Sequence, residues 1–342
     1  SAASVAERCL EILSRPITIA GREITSHASI GIAIYPDDGE DSVALIKAAD
    51  TAMYEAKKTG KKQYAFYKTA MTDAARHRLT IENDLRIALK EEQFVLHYQP
   101  KISLSTGNLK SVEALIRWNH PENNLLSPDS FIPDAERIGL ITELGQWVVK
   151  EACAQIKRWK SLGLADIPIA VNISPEHFGK TNFARDIAKI VHESQVSPSL
   201  IEIEITEGTS RDQQVFLKTC QELRDLGFRT AIDDFGTGYS SLSVLKGVSV
   251  DVLKIDREFI RHLPNDSQSS ILIGTMLGMS KALGLEVVAE GVETEEQLKI
   301  LIAMGCHMAQ GYYFSKPVPA VDIPALTKCS FRRPASRADQ VA

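Results

Sequence analysis

The run Thr230-Ala231-Ile232-Asp233-Asp234-Phe235-Gly236-Thr237-Gly238-Tyr239-Ser240-Ser241 starts as a short apolar strand and ends in two adjacent carboxylates. A loop with two glycines and two serines follows. An apolar strand finishing in Asp-Asp is a poor way to build a core, because a buried unpaired carboxylate is costly. Adjacent acids also repel, so something must neutralise them, and a metal ion would do so. The glycines leave room for the backbone to approach a ligand. The competing reading is a strand that leaves the core at an acidic turn. The endings of the other strands decide between the two.

Strand-like segments fall near 94–100, 111–116, 168–173, 200–206, 229–233, 250–255, 285–290 and 304–309. Helical patterns lie between them, the clearest over 142–161, with Leu144, Trp147, Val148, Ala152, Ile156 and Trp159 on one stripe. Strands separated by helices pair in parallel through crossovers. Eight of them over roughly 235 residues predict an α/β fold, a TIM-like (β/α)8 barrel. Strands covered on both faces need a reason to carry polar residues. Here Glu113, Asn172, Glu204, the Asp233–Asp234 pair, Lys254, Glu290 and Gln310 recur near successive strand ends. In a barrel they converge on the C-terminal face, where such folds keep their active sites. Five carboxylates (Glu113, Glu204, Asp233, Asp234, Glu290) and the Asn172 amide form an oxygen-only ligand set. That set favours Mg²⁺ or Mn²⁺ over zinc or copper. So many acids could serve two cations, the arrangement used for phosphoester cleavage. Lys254 could neutralise the cluster, orient a water or hold phosphate.

The 342 residues suffice for one large domain plus a smaller piece, and 44% hydrophobic with 24% charged is ordinary for a globular protein. A net charge of −5 offers no basic field for DNA or RNA. No apolar run approaches the ~20 residues of a membrane span and no signal peptide is visible, so no membrane contact is expected within these residues. The five cysteines are odd in number and lack a CxxC pair, which fits a reducing, cytoplasmic setting and no zinc cluster. Ahead of the barrel, the spacing predicts a helix over 4–15, strands at 22–26 and 28–35, a Pro36-Asp37-Asp38-Gly39 turn and a strand at 63–67. Between the last two lies a helix capped by Asp41 or Ser42, with Val43, Leu45, Ile46, Ala49, Ala52, Met53 and Ala56 on its apolar face. The expected organisation is an α/β unit over 1–68, a linking helix over 69–92, the barrel over 93–327 and a loosely ordered tail over 328–342.

At these residues the sequence resembles the EAL-domain family of cyclic di-GMP phosphodiesterases. The motif that names the family reads Glu113-Ala114-Leu115 and extends through Ile116, Arg117, Trp118, His120 and Pro121. The match continues through Tyr98-Gln99-Pro100, Val171-Asn172-Ile173-Ser174, Glu204-Ile205-Thr206-Glu207, Asp233 to Ser241, Leu253-Lys254-Ile255-Asp256, Ala289-Glu290-Gly291-Val292-Glu293 and Gln310-Gly311-Tyr312 with Lys316-Pro317. It covers about residues 75–326. The resemblance implies hydrolysis of one phosphodiester of cyclic di-GMP to linear pGpG, a second-messenger reaction. It implies two Mg²⁺ or Mn²⁺ ions held by Glu113, Asn172, Glu204, Asp233, Asp234 and Glu290. Lys254 would contact the attacking water, with Glu113 and Glu290 also in the catalytic set. Gln99, Arg117 and Gln310 would contact substrate. Glu207 and Glu293 would support the loop after the paired aspartates, near a homodimer contact made through the barrel.

None of these positions departs from the family pattern. A cyclic di-GMP receptor that binds without turnover is the alternative, and a metal-dependent hydrolase of another nucleotide is a third. His120, His177 and Cys306 are read as structural. Tyr312, Tyr313 and Phe314 either stack on guanine or belong to the core. Residues 1–68 resemble the C-terminal half of a GGDEF domain, through Ser29 to Pro36, Gly39, Ala48 to Lys57 and Gly60. The motif naming that family is absent, so this piece is not expected to act as a cyclase. The sequence reads as cut from a longer GGDEF–EAL protein, with any sensor or membrane anchor upstream.

Overall fold

The computed structural model describes residues 2–14, 17–19, 22–24, 28–58, 63–206, 213–236, 247 and 249–331. Contacts divide the chain into two compact units, Ser1–Leu85 and Arg86–Ala342. The division falls inside the helix Thr69–Lys90.

The first unit holds the helix Ala2–Leu13, an antiparallel pair of strands (Ile17–Ile19 with Arg22–Ile24), and the parallel strands Ile30–Ile32 and Tyr64–Phe66 joined through the helix Ser42–Lys58. Asp41 caps that helix, accepting from the amide of Ala44 at 2.8 Å. The buried stripe of the helix is narrower than its periodicity suggests. Ala48, Ala52 and Ala56 are buried, whereas Val43 and Ile46, expected on the apolar face, are 74% and 70% exposed.

The second unit is a closed eight-stranded barrel: β1 Phe94–Ser103, β2 Leu109–His120, β3 Ile169–Ile173, β4 Ile201–Thr206, β5 Arg229–Phe235, β6 Val252–Ile255, β7 Glu286–Ala289 and β8 Met308–Ala309. Strands β2 to β8 follow one another in parallel. The sequence reading had all eight parallel, and here the structure differs. β1 runs antiparallel to both of its barrel neighbours, β2 and β8. The physical reason is the short connection through Gly107 (φ +73°), since a parallel pair needs a crossover of a dozen or more residues. The helix Ile141–Ser161 buries Leu144, Val148, Ala152, Ile156 and Trp159, as its spacing predicts, while Trp147 is only half-buried and Val149 joins the buried face. His120 and His177 are buried, as is Cys306, whose thiol donates to the Met308 carbonyl; all three read as structural. Of the tail, residues 328–331 are described, with the Phe331 amide donating to the Gly107 carbonyl at 2.9 Å, and 332–342 lie outside the described residues. Among the described residues no helix is long and apolar enough to cross a membrane.

Side chains alternate across each strand, so residues two apart share the barrel interior. One interior layer at the mouth comprises Gln99, Glu113, Asn172, Glu204, Asp233, Lys254, Glu290 and Gln310. Two residues deeper on β5 to β8 lies an apolar cluster of Ala231, Val252, Val288 and Met308. The same step down from Gln99 and from Glu204 reaches Lys101 and Glu202, both buried.

Candidate metal centre

The Asp233–Asp234 pair works because the strand breaks its alternation there. In a regular strand the two side chains would point to opposite faces. The β5–β6 register slips between Ile232 and Phe235, and Asp234 takes a left-handed φ of +52°, which Asp tolerates better than most residues. Among the described residues one group offers three carboxylates to a common point. Oxygens of Asp233, Asp234 and Glu290 all lie within 4.8 Å of one another. Gly236 (φ +97°) follows at once, and a Cβ there would press on Phe259 and on Met276 at 2.6 Å.

Lys254 stands at the centre of this layer, almost fully buried. Its Nζ lies 2.7 Å from Glu204, 2.8 Å from Glu290, 3.0 Å from Asp233 and 3.7 Å from Glu113. Burial alone would lower its pKa, but Glu113, Glu204, Glu290 and Asp233 outweigh it and hold the ammonium well above its ordinary value. Burial, partly relieved by Lys254, pushes Glu290 up to about 8. Burial and the neighbouring Asp233 raise Asp234 to about 6. Glu113 is raised as well, by burial. Glu204 goes the other way: Lys101 and Lys254 overcome its burial and bring it to about 2.

The amides are arranged around Glu113. Asn172 Nδ2 donates to one oxygen of Glu113 at 2.6 Å and Gln310 Nε2 to the other at 2.6 Å. Gln310 also donates to Gln99 Oε1 at 2.9 Å, and Gln99 donates to the Ser315 carbonyl. Gln310 Oε1 is buried with no hydrogen-bond partner among the described residues. An all-oxygen set, three convergent carboxylate oxygens and a buried amide oxygen awaiting a partner fit a hard divalent cation. The cluster opens into a cleft of about 260 Å³ lined by Gln99, Glu113, Asn172, Asp233, Lys254 and Glu290, with Arg257, Glu293 and Tyr312 among its other residues.

The structure thus brings together the predicted Gln99, Glu113, Asn172, Glu204, Asp233, Asp234, Lys254, Glu290 and Gln310. Arg117, two residues from Leu115 on the same face of β2, is half-buried and donates to the Ile116 carbonyl instead. Glu293 is exposed beside the cleft. Glu207 and the loop 237–241 lie outside the described residues. Of the three aromatics after Gln310, Tyr312 is exposed at the cleft with Lys316 Nζ 5.4 Å from its ring centroid, while Phe314 is core. Sequence reasoning missed Lys101, Glu202 and Arg257. Lys101 carries a signal, since it is a charged residue within a strand, two positions from Gln99.

Five carboxylates and three amides around one buried lysine define a barrel protein with an acidic, oxygen-rich cluster at its mouth. The chain belongs to the EAL domain family, whose model matches residues 82–317. The model for the diguanylate cyclase GGDEF domain matches residues 1–63. Among curated relatives, the bifunctional diguanylate cyclase/cyclic di-GMP phosphodiesterase MucR of Pseudomonas aeruginosa is 41% identical over 95% of this chain and 47% of its own. The cyclic di-GMP phosphodiesterase PdeR of Escherichia coli is 37% identical over 93% of this chain and 48% of its own. The chain therefore spans about half the length of these relatives. A solved structure described as PaMucR phosphodiesterase in complex with c-di-GMP superimposes with a TM-score of 0.69 at 41% identity, covering 71% of this chain and 99% of that one.

Proposed function

We propose that this chain is a metal-dependent phosphodiesterase that hydrolyses cyclic di-GMP to linear pGpG in second-messenger signalling. The observation that carries the reading is the complete oxygen-donor set packed around Lys254. The residues that would hold two Mg²⁺ or Mn²⁺ ions are Glu113, Asn172, Glu204, Asp233, Asp234 and Glu290. When bound, the cations supply Lewis acidity and lower the pKa of water. The protein's own part is positioning and charge. Lys254, held protonated, cannot take a proton from water, so it orients the nucleophile and stabilises developing negative charge. Gln99, Gln310 and Arg117 line or flank the path by which a nucleotide would reach the cluster. Water's oxygen bonds to phosphorus and gives up a proton, the bond from phosphorus to the 3′ oxygen breaks, that oxygen takes up a proton to leave as a hydroxyl, and a 5′-phosphate remains. Glu207 and Glu293 as supports of the loop after Asp234, a homodimer through the barrel, a cytoplasmic site of action and the boundaries 1–68, 69–92, 93–327 and 328–342 belong to the same reading.

Incubation of the purified chain with cyclic di-GMP, pGpG and cyclic AMP tests it. Mg²⁺ or Mn²⁺ should support cleavage of cyclic di-GMP and EDTA should abolish it. Ca²⁺ should allow binding with little turnover, because its looser coordination misplaces the water. Full activity in EDTA would overturn the metal dependence, and binding without cleavage would leave a receptor.

The raised acids give a second expectation. Below their folded-state values, Glu290 (about 8) and Asp234 (about 6) carry protons that a cation must displace. Apparent Mg²⁺ affinity should therefore rise with pH through this window. Calorimetry in buffers of different ionisation heat should show more protons released per cation at pH ~6.5 than at pH ~9. Equal release at both values would contradict the assignment.

A further inference from the structure

The floor of the barrel contains one ion pair that the mouth chemistry described above does not use. β5 to β8 fill their floor positions with Ala231, Val252, Val288 and Met308, yet β1 and β4 place Lys101 and Glu202 there. A buried ion pair is often no better for stability than well-packed apolar residues of the same volume. Lys101 is completely buried and spans two acids. Its Nζ donates to Glu202 Oε1 at 2.7 Å and to Glu204 Oε1 at 2.5 Å. Burial alone would lower its pKa, but Glu202 and Glu204 hold the ammonium above its ordinary value, so it is a permanent cation. Behind it, Glu202 Oε2 faces Arg229 Nε at 3.5 Å, and Arg229 donates to Glu286 at 2.6 Å. A ladder of alternating charge runs from the floor up to Glu204.

The consequence lies in which oxygen of Glu204 faces the mouth. Oε1 is turned down and occupied by Lys101, whereas Oε2 faces Lys254 and the acid cluster at 2.7 Å. We propose that Lys101 is a positioning residue that makes Glu204 a one-oxygen ligand and thereby biases the centre toward small, octahedral dications over Ca²⁺. Mg²⁺ requires near-ideal octahedral geometry at short distance, whereas Ca²⁺ takes six to eight oxygens and readily accepts both oxygens of a carboxylate. With Lys101 holding Oε1, the chelating mode is closed. The inference rests on the metal-dependent reading above.

The test measures binding of the metals alone to the purified full chain, without nucleotide. Mn²⁺ binding followed by electron paramagnetic resonance, with Mg²⁺ and Ca²⁺ as competitors, gives the ratio of Ca²⁺ to Mg²⁺ affinity. Lys101→Met removes the clamp but leaves Glu202 only the longer contact to Arg229 at 3.5 Å, so a second variant is needed. The double variant Lys101→Met with Glu202→Met keeps the charge balance of the floor and leaves Arg229 its partner Glu286. In the double variant, and in the single one where it folds, the ratio should move toward Ca²⁺ by at least threefold. A merely structural Lys101 would weaken both cations by the same factor. A shift below threefold, or one toward Mg²⁺, overturns the inference while leaving the metal site intact. Absence of any divalent binding by the wild type removes the metal-dependent reading itself.

Discussion

Lys254→Met should lower turnover of cyclic di-GMP by about 10²–10³-fold, the usual cost of removing one preorganised electrostatic group. Four carboxylates lie within 3.7 Å of its ammonium; in the metal-free variant Glu204 keeps Lys101, whereas Glu113, Asp233 and Glu290 lose their nearest cation. Leaving buried like charges together raises their pKa values and costs stability. The metal-free variant should therefore unfold at lower temperature than the wild type. Mg²⁺ should raise its melting temperature by more than it raises that of the wild type, since cations then supply the missing charge. Thermal scans with EDTA and with Mg²⁺, beside a kcat measurement, check both halves. A variant turning over within threefold of the wild type would remove Lys254 from the reaction.

Glu113→Gln should be the other large effect, a loss of at least ~100-fold, at the top of the range for changes in a metal's surroundings. Shape is conserved, so the fold should survive. Chemistry is not. Both Glu113 oxygens accept from amide nitrogens, Asn172 Nδ2 and Gln310 Nε2, each at 2.6 Å. A glutamine presents its own NH₂ to one of them, and two donors then face each other. One amide must turn over, which disturbs Asn172 or the Gln99–Gln310 pair as well as deleting an anionic ligand. Near-normal turnover by a folded Glu113→Gln protein would show that Glu113 is not a ligand.

Much of this centre was legible in the sequence because each strand delivers its polar residue from a position that a buried strand would otherwise fill with an aliphatic one. Glu113, Asn172, Glu204, Lys254 and Glu290 all stand out on that ground alone. Three features did not stand out. The direction of β1 is set by the shortness of its link to β2, a link that carries no helix. Asp233 and Asp234 were read together as a pair, but only the register slip and the left-handed Asp234 explain how neighbours in a strand reach one point. Lys101 lies mid-strand, away from the strand ends that mark the other polar residues. Reversal of β1 places the residue after Gln99 on the deep side, whereas in every other strand depth lies on the preceding side. In the first unit, the buried stripe of Ser42–Lys58 is narrower than its periodicity predicts, because periodicity marks which residues could be buried and not which find a neighbour.

The reversal of β1 also determines where the chain enters the barrel. Phe94 pairs with Trp118 near the end of β2, and Ile102 with Leu109 at its start, so the entry point is at the mouth. Had β1 run with the others, whatever preceded it would be tethered to the floor, with the whole depth of the barrel as a buffer. Instead Gln99 stands five strand steps from Phe94, roughly 17 Å at about 3.3 Å each, on one stiff continuous lever. The helix that ends at Lys90 therefore leads into the barrel at the same end as Gln99, whose amide oxygen accepts from Gln310, which also donates to Glu113. The strand's entry point and the polar cluster share one end of the barrel.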